Sequence, residues 1–177
     1  MRLPGDRPAR AAIEQMIRVD HAGEYGAARI YAGQLAVLGD GEHGPVLRHM
    51  AAQEQRHLKA FEALVTQRRV RPTALLPVWH VAGFVLGAAT AALGTRAAMA
   101  CTVAVEQAID AHYSGQISAL EGDEPHLTRT LEEFRAEELE HRDIGLARGA
   151  EQAPGYRFLS AAIRAGCRVA IALSERV

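Results

Sequence analysis

The sequence predicts an all-α protein: a four-helix bundle with an additional apolar segment and a C-terminal amphipathic helix. Apolar residues recur at steps of three and four along most of the 177 residues, which is the periodicity of helices buried on one face. Alternating strand-like runs are scarce, alanine is abundant and aromatic residues are few. Turn-forming glycines and prolines separate the periodic stretches, so each stretch is expected to form its own helix.

Five helices and one apolar segment are predicted, in a single domain that covers residues 1–177. No low-complexity stretch or interdomain linker interrupts the periodic pattern. Proline and glycine give most of the boundaries, because proline disfavours helical geometry before it and glycine favours turns. The predicted order is a helix after Pro8 that ends at 39–41, a helix over 44–70, the apolar segment over 72–95, and helices over 97–120, 125–149 and 156–174.

The overall charge and the cysteines exclude two classes of protein. A formal net charge of −1 provides no basic field for nucleic acid. Cys101 and Cys167 form neither a Cys-x-x-Cys pair nor a secreted disulfide framework, so we interpret both as buried thiols in a reducing compartment. Residues 1–10 lack the apolar run of a signal peptide, which favours a bacterial cytoplasmic location.

Each predicted bundle helix carries an ionisable residue in the middle of its apolar, core-facing stripe. A lone buried carboxylate would cost several kcal/mol of desolvation, roughly, unless it were paired. Four helices with the same feature require a common explanation, and bound cations provide one. The residues concerned are Glu24, Glu54, His57, Glu106, Glu138 and His141.

The spacing of these residues repeats along the chain. Glu24 is followed after 30 residues by a Glu-x-x-His motif, and Glu106 is followed after 32 residues by a second one. Residues three apart share a helix face, so each motif can direct both side chains to one centre. One glutamate from each of two helices plus Glu-x-x-His from the other two is the ligand set of ferritin-like di-iron proteins. The six residues therefore predict a ferritin-like centre for two iron ions.

Other polar residues near these stripes have weaker interpretations. Asp20, Asp110 and Tyr113 could either support the metal ligands through hydrogen bonds or form ordinary hydrogen bonds between helices. The same two interpretations apply more weakly to His112. Glu137 and Glu140, beside the second motif, are predicted to be solvated or helix-pairing residues.

The segment Pro72–Thr95 contains no Asp, Glu, Lys or Arg. It could lie in a membrane interface, fill the core or span a bilayer, and its interruption by Pro77 favours the interface. In the last helix, Arg157, Arg164 and Arg168 share one face, which is typical of a membrane-facing or partner-facing helix. A solvated edge is the alternative.

Several strings resemble the demethoxyubiquinone hydroxylases, the di-iron hydroxylases of ubiquinone biosynthesis. The resemblance extends from about Ile13 to Val177. It is carried by the strings at 17–34, 69–73, 98–106, 137–141 and 165–171, and all six predicted iron ligands match the family pattern. His112 and Tyr113 resemble a His-Tyr pair near the family's iron site.

The resemblance implies an O₂-dependent monooxygenase that hydroxylates the ring of a polyprenylated demethoxyubiquinol, with two iron ions and two electrons. The reductant is open, with NADH as a candidate. Implied partners are the quinol and the membrane surface, with a homo-oligomer or a biosynthetic complex left open. The implied location is the cytoplasmic face of a bacterial membrane, or the mitochondrial inner membrane if a transit peptide has been removed. The alternative function is a soluble ferritin-like ferroxidase or iron store, which needs no lipid-facing segment.

Overall fold

A computed structural model describes residues 10–120 and 123–177. The regular structure of these residues is entirely helical, which confirms the predicted fold class. Residues 1–9, on which the expected location partly depends, lie outside the described part of the chain. The elements are α1 (Arg10–Leu38), α2 (Gly44–Arg68), α3 (Leu76–Ala92), α4 (Thr95–Leu120), α5 (Pro125–Ala147), a short 3-10 helix (Ala150–Gln152) and α6 (Tyr156–Ser174).

Two antiparallel helix pairs, α1 with α2 and α4 with α5, form the bundle. Its core has two apolar layers. Ile17, Phe61 and Leu131 belong to one layer, whereas Leu47 and Met99 belong to the other. On every bundle helix, the predicted ligands lie between the residues that enter these two layers. The charged residues are therefore enclosed by hydrophobic packing at both ends, which limits their access to water.

The apolar segment contains α3, a helix that the sequence prediction left unassigned. It packs closely on α1 through small residues: a Cβ atom added to Gly87 would lie 2.0 Å from the carbonyl oxygen of Ile30. On its outer side Val78, Val81 and Val85 are exposed. One face of the segment therefore contacts the bundle and the other is exposed, so the segment is not wholly buried in the core. Among the described residues, none of the helices has the length and hydropathy needed to cross a bilayer.

Helix α6 packs on α4 and exposes a second apolar surface. Phe158 is 81% exposed and Val169 is 58% exposed. The predicted arginine face is only partly free, because Arg164 donates a hydrogen bond to Gln107 Oε1 on α4 at 2.9 Å. Arg164 is therefore partly engaged within the protein, whereas Arg157 and Arg168 are exposed at the surface.

Candidate metal centre

The structure brings all six predicted ligands into one buried cluster, at most 1% exposed. The two imidazoles direct Nδ1 towards carboxylates. His57 Nδ1 lies 3.1 Å from Glu138 Oε1 and 3.4 Å from Glu24 Oε2. His141 Nδ1 lies 3.1 Å from Glu54 Oε1 and 3.3 Å from Glu138 Oε2. Glu138 is thus close to both imidazoles, at the middle of the cluster.

The ligand atoms form two overlapping groups that could each hold a metal ion. The first group is Glu24, Glu54, His57 and Glu138; the second is Glu54, Glu106, Glu138 and His141. Within each group the atoms lie within 4.8 Å of one another. Glu54 and Glu138 belong to both groups, as bridging carboxylates would. Each group provides three carboxylates and one imidazole, a donor set that suits iron or manganese.

Unpaired atoms in the cluster indicate that these residues fit a metal. Both carboxylate oxygens of Glu54 lack a hydrogen-bond partner, as do one oxygen each of Glu24, Glu106 and Glu138. Nδ1 of His141 also lacks one. Unsatisfied buried acceptors are rare in proteins because each carries a desolvation penalty. Cations at this position would satisfy these atoms and offset the carboxylate charges.

Without a metal, the cluster must distribute protons among its acids and bases. Burial raises the pKa of Glu54 and Glu106 well above their usual value. Burial opposes ionisation of Glu138, but the nearby imidazoles of His141 and His57 outweigh it and lower the Glu138 pKa to about 2. Burial also disfavours charged His57, but the carboxylates of Glu138 and Glu24 beside its Nδ1 raise the His57 pKa to about 11. Metal binding must therefore displace protons.

Two tyrosines hold the unshared glutamates by bonds that cross the bundle. Tyr31 on α1 donates to Glu106 Oε1 on α4 at 2.8 Å, and Tyr113 on α4 donates to Glu24 Oε1 on α1. Each tyrosine follows the glutamate of its own helix by seven residues. Burial raises the pKa of both hydroxyls, which keeps them protonated as donors. The two halves of the centre are thus related by an approximate twofold arrangement.

The far nitrogen of each imidazole meets an acceptor from the opposite half. His57 Nε2 lies 2.9 Å from Glu137 Oε2, and His141 Nε2 lies 3.0 Å from Gln53 Oε1. The solvated or helix-pairing role predicted for Glu137 is therefore incomplete, since Glu137 pairs with Arg56 and also contacts His57. Burial opposes ionisation of Glu137, but hydrogen bonds from His57 and Arg56 outweigh it and lower its pKa.

Sequence reasoning missed Tyr31, Gln53 and Glu137 as residues of this site. A signal for them exists in the same repeat: Gln53 and Glu137 each precede the glutamate of a Glu-x-x-His motif, and Tyr31 is the counterpart of Tyr113. Comparing the two halves residue by residue would have found all three.

The remaining predicted residues lie around the cluster. Asp20 is buried on α1, where its Oδ1 accepts a hydrogen bond from Gln116 Nε2 at 2.8 Å and lies 3.2 Å from His112 Nε2. Burial raises the Asp20 pKa. Asp110 instead pairs with Arg135 at 2.6 Å, between α4 and α5. Asp110 thus makes a contact between two helices and has no described contact with the predicted metal ligands.

Comparison with known proteins identifies the family. Residues 11–174 match the family model described as ubiquinone biosynthesis protein COQ7. The chain belongs to this family. The family resemblance inferred from the sequence strings is therefore confirmed.

Relatives of the COQ7 family cover nearly the whole chain. A protein of Rhodospirillum rubrum named 3-demethoxyubiquinol 3-hydroxylase is 60% identical over 99% of this chain and 84% of its own length. The human NADPH-dependent 3-demethoxyubiquinone 3-hydroxylase, mitochondrial, is 57% identical over 97% of this chain and 81% of its own length. The 5-demethoxyubiquinone hydroxylase of Saccharomyces cerevisiae is 40% identical over 94% of this chain and 79% of its length.

Proposed function

We propose that this chain is a 3-demethoxyubiquinol 3-hydroxylase, a di-iron monooxygenase that uses O₂ and two electrons. The observation that carries the proposal is a buried centre of four carboxylates and two imidazoles beside an apolar cavity. The names of its relatives give the substrate class. A soluble iron store needs such a centre but has no use for the cavity.

The six cluster residues would hold two iron ions, with Glu54 and Glu138 shared. Bound iron would supply O₂ activation and two-electron chemistry. The chain's own contribution is positional. Tyr31 and Tyr113 orient the unshared glutamates, and the two apolar layers limit water at the centre.

The cavity is the proposed site of the quinol and the first part of its prenyl tail. Its volume is about 510 Å³, and it lies between α1, α3, α4 and α6. Two wall residues, Gly23 and Val105, are chain neighbours of Glu24 and Glu106, so the wall runs beside the ligands. Nearly all of the wall is apolar or small, including Gly26, Leu86, Ala108, Ile163, Gly166 and Ile171. Such a lining suits a prenyl chain, which gains free energy by leaving water.

The membrane surface is the proposed source of the substrate. The exposed valines of α3 and the exposed Phe158 and Val169 of α6 belong to the two helices that enclose the cavity. Exposed apolar side chains on the two helices that flank one apolar cavity are consistent with interfacial binding. We infer peripheral attachment through these helices, with Arg157 and Arg168 available to anionic lipid.

Product analysis tests the function directly. Iron-loaded protein would receive a reduced nicotinamide, isotopically labelled O₂ and a short-tailed demethoxyquinol. We expect a ring-hydroxylated product that carries the label. NADH and NADPH would be compared, since the human relative's name specifies NADPH. Ferric iron that accumulates without hydroxylated product would instead support the ferroxidase.

Liposome sedimentation tests the membrane attachment separately. Replacing Val78, Val81 and Val85 together by Ser should weaken binding and slow turnover of long-tailed quinols, because these side chains are exposed outside the bundle. Turnover of a short-tailed analogue should be retained. Val37→Ser, which alters an exposed valine near the end of α1, is the matched control. Unchanged liposome binding by the triple variant would reject this surface as the membrane contact.

A further inference from the structure

The approximate twofold arrangement of the centre is broken at one pair of equivalent residues. The two proposed metal positions have the same donors, three carboxylates and one imidazole, and a tyrosine holds the unshared glutamate of each. The acceptors at the far side of the imidazoles differ. His57 Nε2 meets the carboxylate of Glu137, whereas His141 Nε2 meets the neutral amide of Gln53.

Both acceptors require Nε2 to be the donor, because a carboxylate oxygen and an amide oxygen only accept. Each imidazole can then offer the Nδ1 lone pair to a metal. A charged acceptor polarises the ring more than a neutral one, which makes Nδ1 the better electron donor. By this argument, His57 is the stronger of the two imidazole ligands.

The charge on Glu137 is held in place from outside the bundle. Arg56 Nη2 donates to both oxygens of this carboxylate, at 2.9 and 3.2 Å. The Arg56 side chain is 54% exposed and that of Glu137 is 19% exposed, so Glu137 connects the surface to the buried imidazole. Gln53 is buried, and its side-chain oxygen reaches His141 at 3.0 Å. Only one of the two imidazoles therefore has a fixed anion behind it.

We propose that Glu137 is a positioning residue that makes the two metal positions unequal. The position served by His57 takes a divalent cation first and more tightly, and Gln53 leaves the position served by His141 the weaker one. This inference rests on the metal centre of the proposed function. It goes beyond that function because it assigns an order of loading to two positions with identical donors.

Calorimetric titration of metal-free protein with Co(II), without O₂, tests the order. We expect two binding steps whose dissociation constants differ by about tenfold or more. Hydrogen-bond acceptors that contact a metal-binding imidazole typically change metal affinity by about ten- to a hundredfold. Glu137→Gln should weaken the first step by about ten- to a hundredfold and bring the two steps together. Gln53→Glu should instead tighten the second step. Each substitution makes the two acceptors chemically alike, in opposite directions.

The control variant is Glu140→Gln, which removes an exposed charge from the same helix. It should leave both steps unchanged. Circular dichroism would confirm folding, and Gln53→Glu gives an independent result if Glu137→Gln folds poorly. The proposal is overturned if both variants leave the two steps within twofold of wild type, or if Glu140→Gln shifts them equally. Wild type that binds no Co(II) would reject the centre itself, whereas two equal steps would reject only the inequality.

Discussion

Helices α1 and α4 each build two opposite environments within the same protein. One face of α1 carries Glu24 and Tyr31 into the charged centre, whereas Gly23, Gly26 and Ile30 line the apolar cavity. Helix α4 repeats the arrangement with its own ligand and its own apolar wall. Adjacent residues can therefore differ completely in environment, because each residue advances about 100° around a helix.

The difference between these regions lies in how strictly side chains are specified. At the centre, each polar atom has a partner or is available to a metal, so identity and position are both fixed. At the cavity, small residues leave space, and any change that preserves volume and apolarity should be tolerated. We therefore expect substitutions at the centre to act through chemistry and substitutions at the cavity to act through volume.

The largest expected effect is at the centre. Glu138→Ala removes the carboxylate that lies near both imidazoles, so neither metal position keeps its donor set. Iron bound per chain should fall below half of the wild-type value, and hydroxylation should fall at least about a hundredfold. This exceeds the usual effect of residues that only hydrogen-bond to a metal ligand. Metal analysis and product formation measure these changes. Glu133→Ala, at an exposed position of α5, should change neither.

A volume change in the cavity should leave the metal in place. Gly166 lines the cavity, and a Cβ added there meets nothing within 4 Å, so Gly166→Leu should fold and fill space. Turnover of a long-tailed quinol should fall about tenfold, because the leucine would displace about two buried methylene groups of the prenyl tail, at roughly 0.8 kcal/mol each. Iron content should stay at the wild-type value. Gly115→Leu, which has similar free space but lies outside this cavity, is the control.

Substitutions at the close contact between α1 and α3 should change the stability of the protein. Gly87→Ala places a Cβ 2.0 Å from the backbone oxygen of Ile30, so the helices must separate. We expect a loss of about 1–3 kcal/mol in the free energy of unfolding, measured by urea denaturation. Gly23→Ala adds the same methyl group to α1 where nothing lies within 4 Å, and should be neutral or slightly stabilising. Equal losses of unfolding free energy in both variants would contradict the close packing of α3 on α1 at Gly87.

The smallest expected effect, taken per pH unit, is a change in the stability of the metal-free protein with pH. His57 has a folded-state pKa of about 11, above its usual 6.5, and the pKa of Glu54 is also raised. Groups with raised folded-state pKa values stabilise the fold at low pH, and this stabilisation is lost as pH rises towards those values. Metal-free protein should therefore lose on the order of 1 kcal/mol per pH unit between about pH 7 and 9.

Bound metal removes these protons, so metal-loaded protein should be less sensitive over the same interval. The difference between the two melting temperatures should therefore widen as pH rises. Thermal denaturation with and without Fe(II), under anaerobic conditions, measures that difference. A difference that narrows with pH would contradict the proton distribution inferred for the centre.

Much of the fold and of the candidate site could be predicted because helical geometry is local. The period of 3.6 residues fixes which residues share a face, so the repeated spacing of Glu24, Glu54, Glu106 and Glu138 was enough to predict one common centre. The helix over 156–174 was predicted with the bounds that α6 has. Such features follow from neighbours along the chain.

The directions of α3 and α6 could not be predicted in this way. Every residue of an apolar helix fits either a buried or a lipid-facing position. Only packing decides that Leu86 lines the cavity while Val85 is exposed. Arg164 shares a helix face with Arg157, and only the structure shows that it contacts Gln107 of α4.

The sequence by itself determined the all-α class, the six residues of the cluster and the family, since each depends on spacing or on local strings. Tertiary structure alone decided which residues of one helix pair contact which residues of the other. Tyr31 donates a hydrogen bond to Glu106, Tyr113 donates to Glu24, and Glu137 contacts His57. These contacts join residues about 75 to 89 positions apart. Their identity depends on how two helix pairs pack face to face, a relation between distant segments that no local periodicity contains.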